Sequence, residues 1–389
     1  MKKWITVVTY NKVFGAPDSL IKTAILFFLF SCAVQAQATL NSPAIPVFSS
    51  GQDGYACFRI PAILHLNNGD LLAFAEGRKK GCSDTGDIDL VMKRSTDDGA
   101  SWGPLQILWD DKDNTCGNPA PVVDARTGHI VLLSTWNLGE DREPQIIDQT
   151  SKDTRRVFML RSQDQGLSWS RPREITKKVK QADWTWYATG PGSGMQVQDG
   201  PHTGRMLIGC DHIEAGTKKY FSHVIYSDNG GRRWKLGGSS PKDQVNECEV
   251  AELSNGRLMM NMRNYDRHQR SRQTMISTDG GASWSQQKHH PELIEPICQG
   301  SLHRHGNLLL FSNPASSEKR EKMTLKISED DGLSWPMSLL LHAGPAAYSD
   351  LVSITDQKLG CFFEAGTKSP YEQLVFQLIE LQPVGKANK

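Results

Sequence analysis

Several short stretches set reactive side-chain types in tight surroundings. Arg59 sits in Tyr55-Ala-Cys-Phe58-Arg59-Ile60-Pro61, Arg263 closes Leu258-Met-Met-Asn-Met-Arg263-Asn264, and Arg320 ends Ser312-Asn-Pro-Ala-Ser-Ser-Glu-Lys-Arg320. A guanidinium is a planar fork that holds a carboxylate or phosphate through parallel hydrogen bonds, so arginines brought together would fix an anion. An isolated arginine beside a strand is ordinarily a solvated or ion-paired surface group, and Arg304 and Lys326 compete with Arg320. Asn246-Glu247-Cys248 offers a carboxylate, and Glu249 shares its face if the segment is a strand. Gly81-Cys-Ser-Asp84-Thr-Gly86-Asp-Ile-Asp-Leu90 places Asp84 in a Gly/Ser/Thr-rich loop. There it is either an Asx-turn residue or a proton donor reaching over a substrate, with Asp87 and Asp89 as alternatives. Tyr348, in Gly344-Pro-Ala-Ala-Tyr348-Ser349-Asp350, has a phenol whose ordinary pKa is about 10, so as a nucleophile it needs a base beside it.

The elements that must position these groups come from a repeat. Ser95-Thr-Asp97-Asp-Gly99-Ala-Ser-Trp102 recurs as Ser162-Gln-Asp164-Gln-Gly166-Leu-Ser-Trp169, Ser277-Thr-Asp279-Gly-Gly281-Ala-Ser-Trp284 and Ser328-Glu-Asp330-Asp-Gly332-Leu-Ser-Trp335. A fifth copy, Ser227-Asp-Asn229-Gly-Gly231-Arg-Arg-Trp234, has Asn in place of Asp. The Asp or Asn accepts backbone N–H groups across a hairpin turn and Gly supplies a positive φ, so these Asp residues are structural, not catalytic. The Trp is expected to fold back on its own strand pair. Strand-like runs such as Ile88–Arg94 and Phe221–Tyr226 precede the turns, and starts at 95, 162, 227, 277 and 328 leave room for one four-stranded unit each. The pattern predicts an all-β chain, a single β-propeller of four-stranded antiparallel blades.

Composition narrows the function classes. Across 389 residues, 44 Lys+Arg balance 43 Asp+Glu, which argues against a nucleic-acid binder. The basic start (Lys2, Lys3, Lys12, Lys22) and the apolar run Ala24–Val34, too short to span a bilayer, read as an export signal. Cleavage is expected after Ala36 or Ala38, giving residues 1–38 as leader and 39–389 as one domain. Leu29-Phe30-Ser31-Cys32 also resembles a lipobox, which would anchor the chain through Cys32. The chain is therefore expected to be secreted, periplasmic or held at the cell surface. The seven remaining Cys, odd in number and widely spread, predict no disulfide framework. His303-x-His305 would share one face of a strand, but two ligands make a poor metal site.

The repeats resemble the Asp-boxes of the sialidase and BNR-repeat families. The Phe58-Arg59-Ile60-Pro61 run resembles the corresponding motif of exo-α-sialidases, and Leu71-Leu-Ala-Phe-Ala-Glu76-Gly-Arg78 with the motifs around Asp84, Glu247, Arg263, Arg320 and Tyr348 extends the likeness from about Gly51 to Leu381. The resemblance implies six blades, the sixth joining the chain ends. It implies a retaining exo-α-sialidase acting on sialylated glycoconjugates, with no cofactor, no metal and no obligate protein partner. Arg59, Arg263 and Arg320 would grip the substrate carboxylate, Tyr348 would be the nucleophile, Glu247 its base and Asp84 the general acid/base. A tyrosine suits an anomeric carbon that already bears a carboxylate, because a neutral phenol is not repelled by it. Asp84 would need its pKa raised above about 3.9, through desolvation by bound substrate. Arg78 and Asp89 would border the pocket, and Tyr187, in Trp184-Thr-Trp186-Tyr187, would face the glycerol tail or the aglycone. Asn229 and Lys326 depart from the usual pattern without touching these roles. A transferring sialidase would use the same residues, and a lectin would keep the arginines without the catalytic trio.

Overall fold

A computed structural model of the chain describes residues 37–382; the apolar run Ala24–Val34 and Cys32, on which the expected export signal and lipobox rest, lie outside the described residues. Within them the chain is almost entirely strand, broken by short helices at Glu143–Ile147 and Thr176–Val179 and a 3-10 turn at Ser254–Gly256. Antiparallel units follow one another along the chain. Cys57–His65, Leu71–Arg78, Ile88–Ser95 and Gln106–Trp109 form one. Thr115–Val123, Ile130–Asn137, Arg156–Ser162 and Arg173–Glu174 form the next, and Val245–Glu252, Leu258–Asn264, Ser271–Ser277 and Lys288–Ile294 another. The long strand Met337–Thr355 belongs to two units, pairing first with Glu321–Ser328 and then with Lys358–Ala365. Gln373–Gln382 completes the last sheet together with Gln37–Thr39 and Ile45–Ser49, so residues near both ends of the described chain share it.

Strands inside the units are buried along their whole length. Leu71–Arg78 and Val245–Glu252 have no exposed residue, because sheets stack face to face and cover both sides, which favours continuous apolar runs over strict alternation. The repeated turns make this stacking tight. In the first, Ser95 Oγ donates to Asp97 Oδ1 at 2.8 Å and accepts from the Gly99 N–H at 2.9 Å, while Ser101 N–H donates to Asp97 Oδ1 at 2.9 Å. Asn229 accepts the equivalent Arg233 N–H at 2.9 Å, so the fifth turn keeps its geometry with an amide oxygen. The hydrogen bonds from Ser168 hold the Asp164 carboxyl down at about 2.

The Trp residues do not pack only on their own strand pair. Trp102 lies edge-on to Phe376 of the last sheet at 5.6 Å, and Trp169 edge-on to Phe74 of the preceding unit at 6.0 Å. The turn glycine explains the difference. Gly99 sits at φ +86°, and a Cβ there would lie 2.2 Å from the Phe376 ring. Only a residue without a side chain lets the turn press onto the neighbouring sheet, and the Trp follows it there.

The inner strands converge on a buried polar cluster. Asp350 accepts from the Ile63 N–H (2.7 Å) and from the Ser193 N–H and Oγ (3.0 and 3.1 Å), while Glu249 accepts from Ser301 Oγ and the Leu302 N–H, both 2.8 Å. Ser301 Oγ also lies 3.3 Å from Asp350 Oδ1, linking the two carboxyls. Burial pushes the pair up, Asp350 to about 7 and Glu249 well above the usual carboxylate range, the latter also through Asp350's charge. A folded-state pKa raised above the unfolded value contributes stability at low pH that is lost as pH rises through it. The unfolded carboxyls give up their protons near pH 4 while the folded pair keeps them, so the melting temperature is expected to fall from about pH 4 up through about 7, and Glu249→Gln, which removes one titrating partner, to flatten that slope. Scanning calorimetry across the window checks this; a wild-type melting temperature independent of pH would contradict it.

Candidate active site

At one end of the inner strands lies a cavity of about 260 Å³ with mostly polar walls. Strand Cys57–His65 delivers Arg59 into it through a local break in the β-ladder. Ile60 adopts φ 60°, the register shifts between Arg59 and Ala62, and the Ile60 N–H goes to Glu364 Oε1 at 3.1 Å. A left-handed β-branched residue costs about 1–3 kcal/mol and persists only where its surroundings hold it. Here Glu364 does so, since it also accepts Arg59 Nε at 3.0 Å and Nη2 at 3.2 Å and the Tyr348 N–H at 3.1 Å. Burial works against the Arg59 charge, but Glu364 together with Tyr348, Asp84 and Tyr371 outweighs that and keeps the guanidinium firmly protonated.

Tyr348, on the long strand Met337–Thr355, donates its phenol proton to Glu247 Oε1 at 2.5 Å. Arg263 Nη1 bridges the pair, 2.6 Å from Glu247 Oε2 and 3.1 Å from Tyr348 Oη. Arg59 and Arg320 flank the Tyr348 ring, their guanidinium carbons 4.9 and 5.6 Å from its centroid. Burial and Glu247 push the phenol well above its usual value, while Arg263, Arg320 and Arg59 pull the other way. Free, the phenol is neutral; a base in contact and three cations nearby are what would make it an attacking oxygen. Arg320 Nη1 is steadied by Tyr371 Oη at 2.8 Å.

Asp84 stands at the mouth, its side chain 61% exposed, 2.8 Å from Arg78 Nη1 and 3.2 Å from Arg59 Nη1. Burial raises its pKa, but Arg78 and Arg59 outweigh it and hold the carboxyl below the usual range. The free site thus keeps Asp84 ionised, opposite to what an acid needs. Its loop is fixed at both ends: Cys82 is bonded to Cys57, and Thr115 Oγ1 accepts the Gly86 N–H at 3.2 Å and donates to Gly86 O at 2.8 Å. The bridge is a single pairing that the expectation of no disulfide framework left out. Cys57 lies opposite Arg78 in the ladder, so the chain needs only four residues beyond Arg78 to bring Cys82 back to it. The other described cysteines (Cys116, Cys210, Cys248, Cys298, Cys361) are free and buried.

Arg59, Arg78, Asp84, Glu247, Arg263, Arg320 and Tyr348 all line this one cavity. Two expected residues do not. Tyr187 is fully buried, its hydroxyl 3.1 Å from His223 Nε2 in a core cluster with Trp184 and Ile208. The strand turns its neighbours Trp186 and Ala188 to the cavity instead. Asp89 is likewise buried, accepting from Tyr55 Oη at 2.6 Å and paired with Lys79 at 3.0 Å, outside the pocket wall. The rivals fall away as well. Glu249 belongs to the central cluster, Arg304 is paired with Asp331 at 2.8 Å, and Lys326 and Asp87 do not reach the cavity. His303 and His305 both face Ser353 Oγ, at 2.7 and 2.8 Å, and no metal-binding group of three or more His, Cys, Asp or Glu occurs among the described residues.

Sequence reading missed Glu364 and Tyr371, which brace Arg59 and Arg320, and Arg155, a buried guanidinium 3.9 Å from the Trp186 ring and hydrogen-bonded to Asn118, Asn137 and Thr135. Glu364, a carboxylate following the apolar run Leu359–Phe363 inside a strand, was the one with a sequence signal. A larger cavity, about 720 Å³, opens at the other end of the same strands. Of its charged groups, Glu252 accepts the Gln198 and Asp199 N–H groups and Arg304 pairs with Asp331. It holds no counterpart of the Tyr–Glu–Arg arrangement.

Comparison with known proteins gives a consistent family picture. Residues 69–361 match the BNR repeat-like domain. The chain is 30% identical over 383 residues to a sialidase of Micromonospora viridifaciens, covering 92% of this chain and 59% of that one. It is 30% identical to an exo-alpha-sialidase of Aspergillus fumigatus, covering 84% and 85%, and 29% identical to Sialidase-3 of Homo sapiens, covering 86% and 91%. With 65% of a Bacteroides fragilis sialidase covered, the chain spans less than two thirds of both bacterial relatives. Among solved structures, the Hadza microbial sialidase Hz136 superposes with a TM-score of 0.78 at 31% identity, over 86% of this chain and 68% of that one. An intramolecular trans-sialidase from Ruminococcus gnavus, 17% identical, shares the fold with a TM-score of 0.73, over 86% and 97%.

Proposed function

The chain belongs to the sialidase family built on BNR repeats, and from that premise we propose that it is a retaining exo-α-sialidase removing terminal α-linked sialic acids from glycoconjugates. The observation that carries this is the Tyr348–Glu247–Arg263 contact set in a cavity also lined by Arg59 and Arg320. Arg59, Arg263 and Arg320 bind the carboxylate on the anomeric carbon. Glu247 takes the phenol proton as Tyr348 Oη attacks that carbon, and Asp84 protonates the departing glycosidic oxygen as its bond to the carbon breaks. Water then attacks the tyrosyl-linked intermediate with Asp84 as base, and the phenol recovers its proton from Glu247. Bound substrate reverses the bias on Asp84. Its carboxylate neutralises Arg59, one of the two charges holding Asp84 ionised, and its bulk removes water from the exposed side chain.

We read the successive sheets as six blades around one axis, with residues near both chain ends closing the last; the support is the convergence of Cys57–His65, Ser193, Ser301 and Met337–Thr355 on the Asp350 cluster. We also read the chain as exported, to the medium, periplasm or cell surface, a compartment in which a disulfide such as Cys57–Cys82 persists. Gln37 and Ala38 pair with Gln382 and Leu381, so cleavage after Ala36 rather than Ala38 keeps that edge strand whole.

Proton NMR of sialyllactose with the purified protein tests the reaction. The α-anomer of free sialic acid is expected to appear first and then mutarotate. An anhydro or transferred product would change the reaction while keeping the site, and binding without turnover would replace the enzyme by a lectin.

A further inference from the structure

Beside the catalytic cavity lies a second cleft of about 600 Å³, walled on one side by residues 83–85 and on the other by residues 139–144. Two residues, Asp84 and Glu143, line both spaces. Asp84 is pinned from the cavity side by Arg59 and Arg78, yet most of its side chain is open to solvent. Resting on the sialidase reading, this geometry fixes a direction. The sialyl ring fills the cavity, the scissile oxygen lies at Asp84, and whatever is attached to that oxygen must leave past Asp84.

We infer that the cleft between residues 83–85 and 139–144 is the leaving-group subsite, built for the first, neutral sugar of the released glycan. Its chemistry is that of a hydroxyl-rich ligand. Ser83 and Thr85 bring hydroxyls, and Glu143 brings a half-buried carboxylate that no hydrogen bond or ion pair engages. Arg142 is exposed and forms no ion pair, whereas Glu140 is already held by Lys152 at 2.6 Å. Sugar hydroxyls would donate to Glu143 and accept from Arg142. No aromatic ring lines the cleft and Pro144 is its one apolar side chain, so an extended lipid-like aglycone finds little to bury against.

Both walls are rigid enough to discriminate. The first is tied by the Cys57–Cys82 bridge and by Thr115. In the second, the Gly139 N–H donates to Asn114 Oδ1 at 3.2 Å, buried Asp141 accepts the Lys152 and Asp153 N–H groups at 2.9 Å, and Ile146 packs with Trp186 and Ile213. A preformed subsite of this kind loses little ordering entropy on binding.

The test compares wild type with Arg142→Ala and Ser83→Ala on sialyllactose and on 4-methylumbelliferyl sialoside, with free sialic acid as competitive inhibitor. For Arg142→Ala, kcat/KM on sialyllactose should fall by about 10-fold, mainly through KM, as for the loss of one charge-assisted hydrogen bond. Ser83→Ala should act the same way more weakly. The inhibition constant of free sialic acid, which needs only the cavity, should stay within about 2-fold. Parallel loss on both substrates with weaker inhibition by sialic acid would overturn the inference, and so would an unchanged KM for sialyllactose in both variants. A wild-type protein that cleaves neither substrate would instead remove the sialidase reading on which it rests.

Discussion

Replacing Tyr348 by phenylalanine is expected to lower kcat by about three orders of magnitude or more, because the attacking atom itself is removed. The loss should be the same for sialyllactose and for an aryl sialoside, since both must form the bond to Tyr348 Oη. The variant should remain folded. Its ring stays in place, the Tyr348 N–H keeps Glu364, and Arg263 keeps its 2.6 Å contact with Glu247. Binding should also survive, because Arg59, Arg263 and Arg320 still face the cavity. Steady-state kinetics on both substrates, with free sialic acid as inhibitor, checks all three points. Near-normal rates would show that another group attacks the anomeric carbon.

Asp84→Ala is expected to separate substrates by leaving group. A sugar alkoxide is a poor leaving group and needs its proton, so cleavage of sialyllactose should fall by about 10²–10⁴-fold. A phenol of low pKa leaves without help, and its sialoside should lose about 10-fold or less. The interactions of Asp84 with Arg78 and Arg59 make the comparison informative. If its main role were to hold those arginines, removing it would disturb the cavity for both substrates alike. Equal loss on the two therefore counts against Asp84 as the acid.

What was legible in the sequence was local. The Ser-x-Asp-x-Gly-x-x-Trp turns announce themselves because the Ser and Asp side-chain hydrogen bonds that shape them join residues two or four apart, as Ser95, Asp97, Gly99 and Ser101 do. Arg59, Glu247, Arg263, Arg320 and Tyr348 sit in motifs whose resemblance to a family supplied roles that spacing alone left open, and the fold brings them to one cavity. What failed depended on contacts far apart in sequence or on small shifts of register. Glu364, 305 positions from Arg59, has no local mark tying it to that arginine. Tyr187 was placed on the wrong side because the ladder between Trp184 and Tyr187 is irregular, and its neighbours face the pocket instead. Asp89 sits opposite Gly77 in a paired strand, which turns it toward Tyr55 and Lys79 rather than to the substrate. The Trp residues were identified correctly as a set, but Trp102 and Trp169 find ring partners in a neighbouring unit, which a repeat read one unit at a time does not reveal.

Covalent attack by Tyr348 is tested most directly by trapping the intermediate. A sialyl fluoride carrying a second fluorine at C3 keeps a good leaving group while slowing breakdown of the glycosyl-enzyme. Intact-mass measurement should show one fluorosialyl group per chain, and peptide mapping should place it on Tyr348. A label on Glu247, or turnover of the reagent with no label even under rapid quench, would contradict the mechanism.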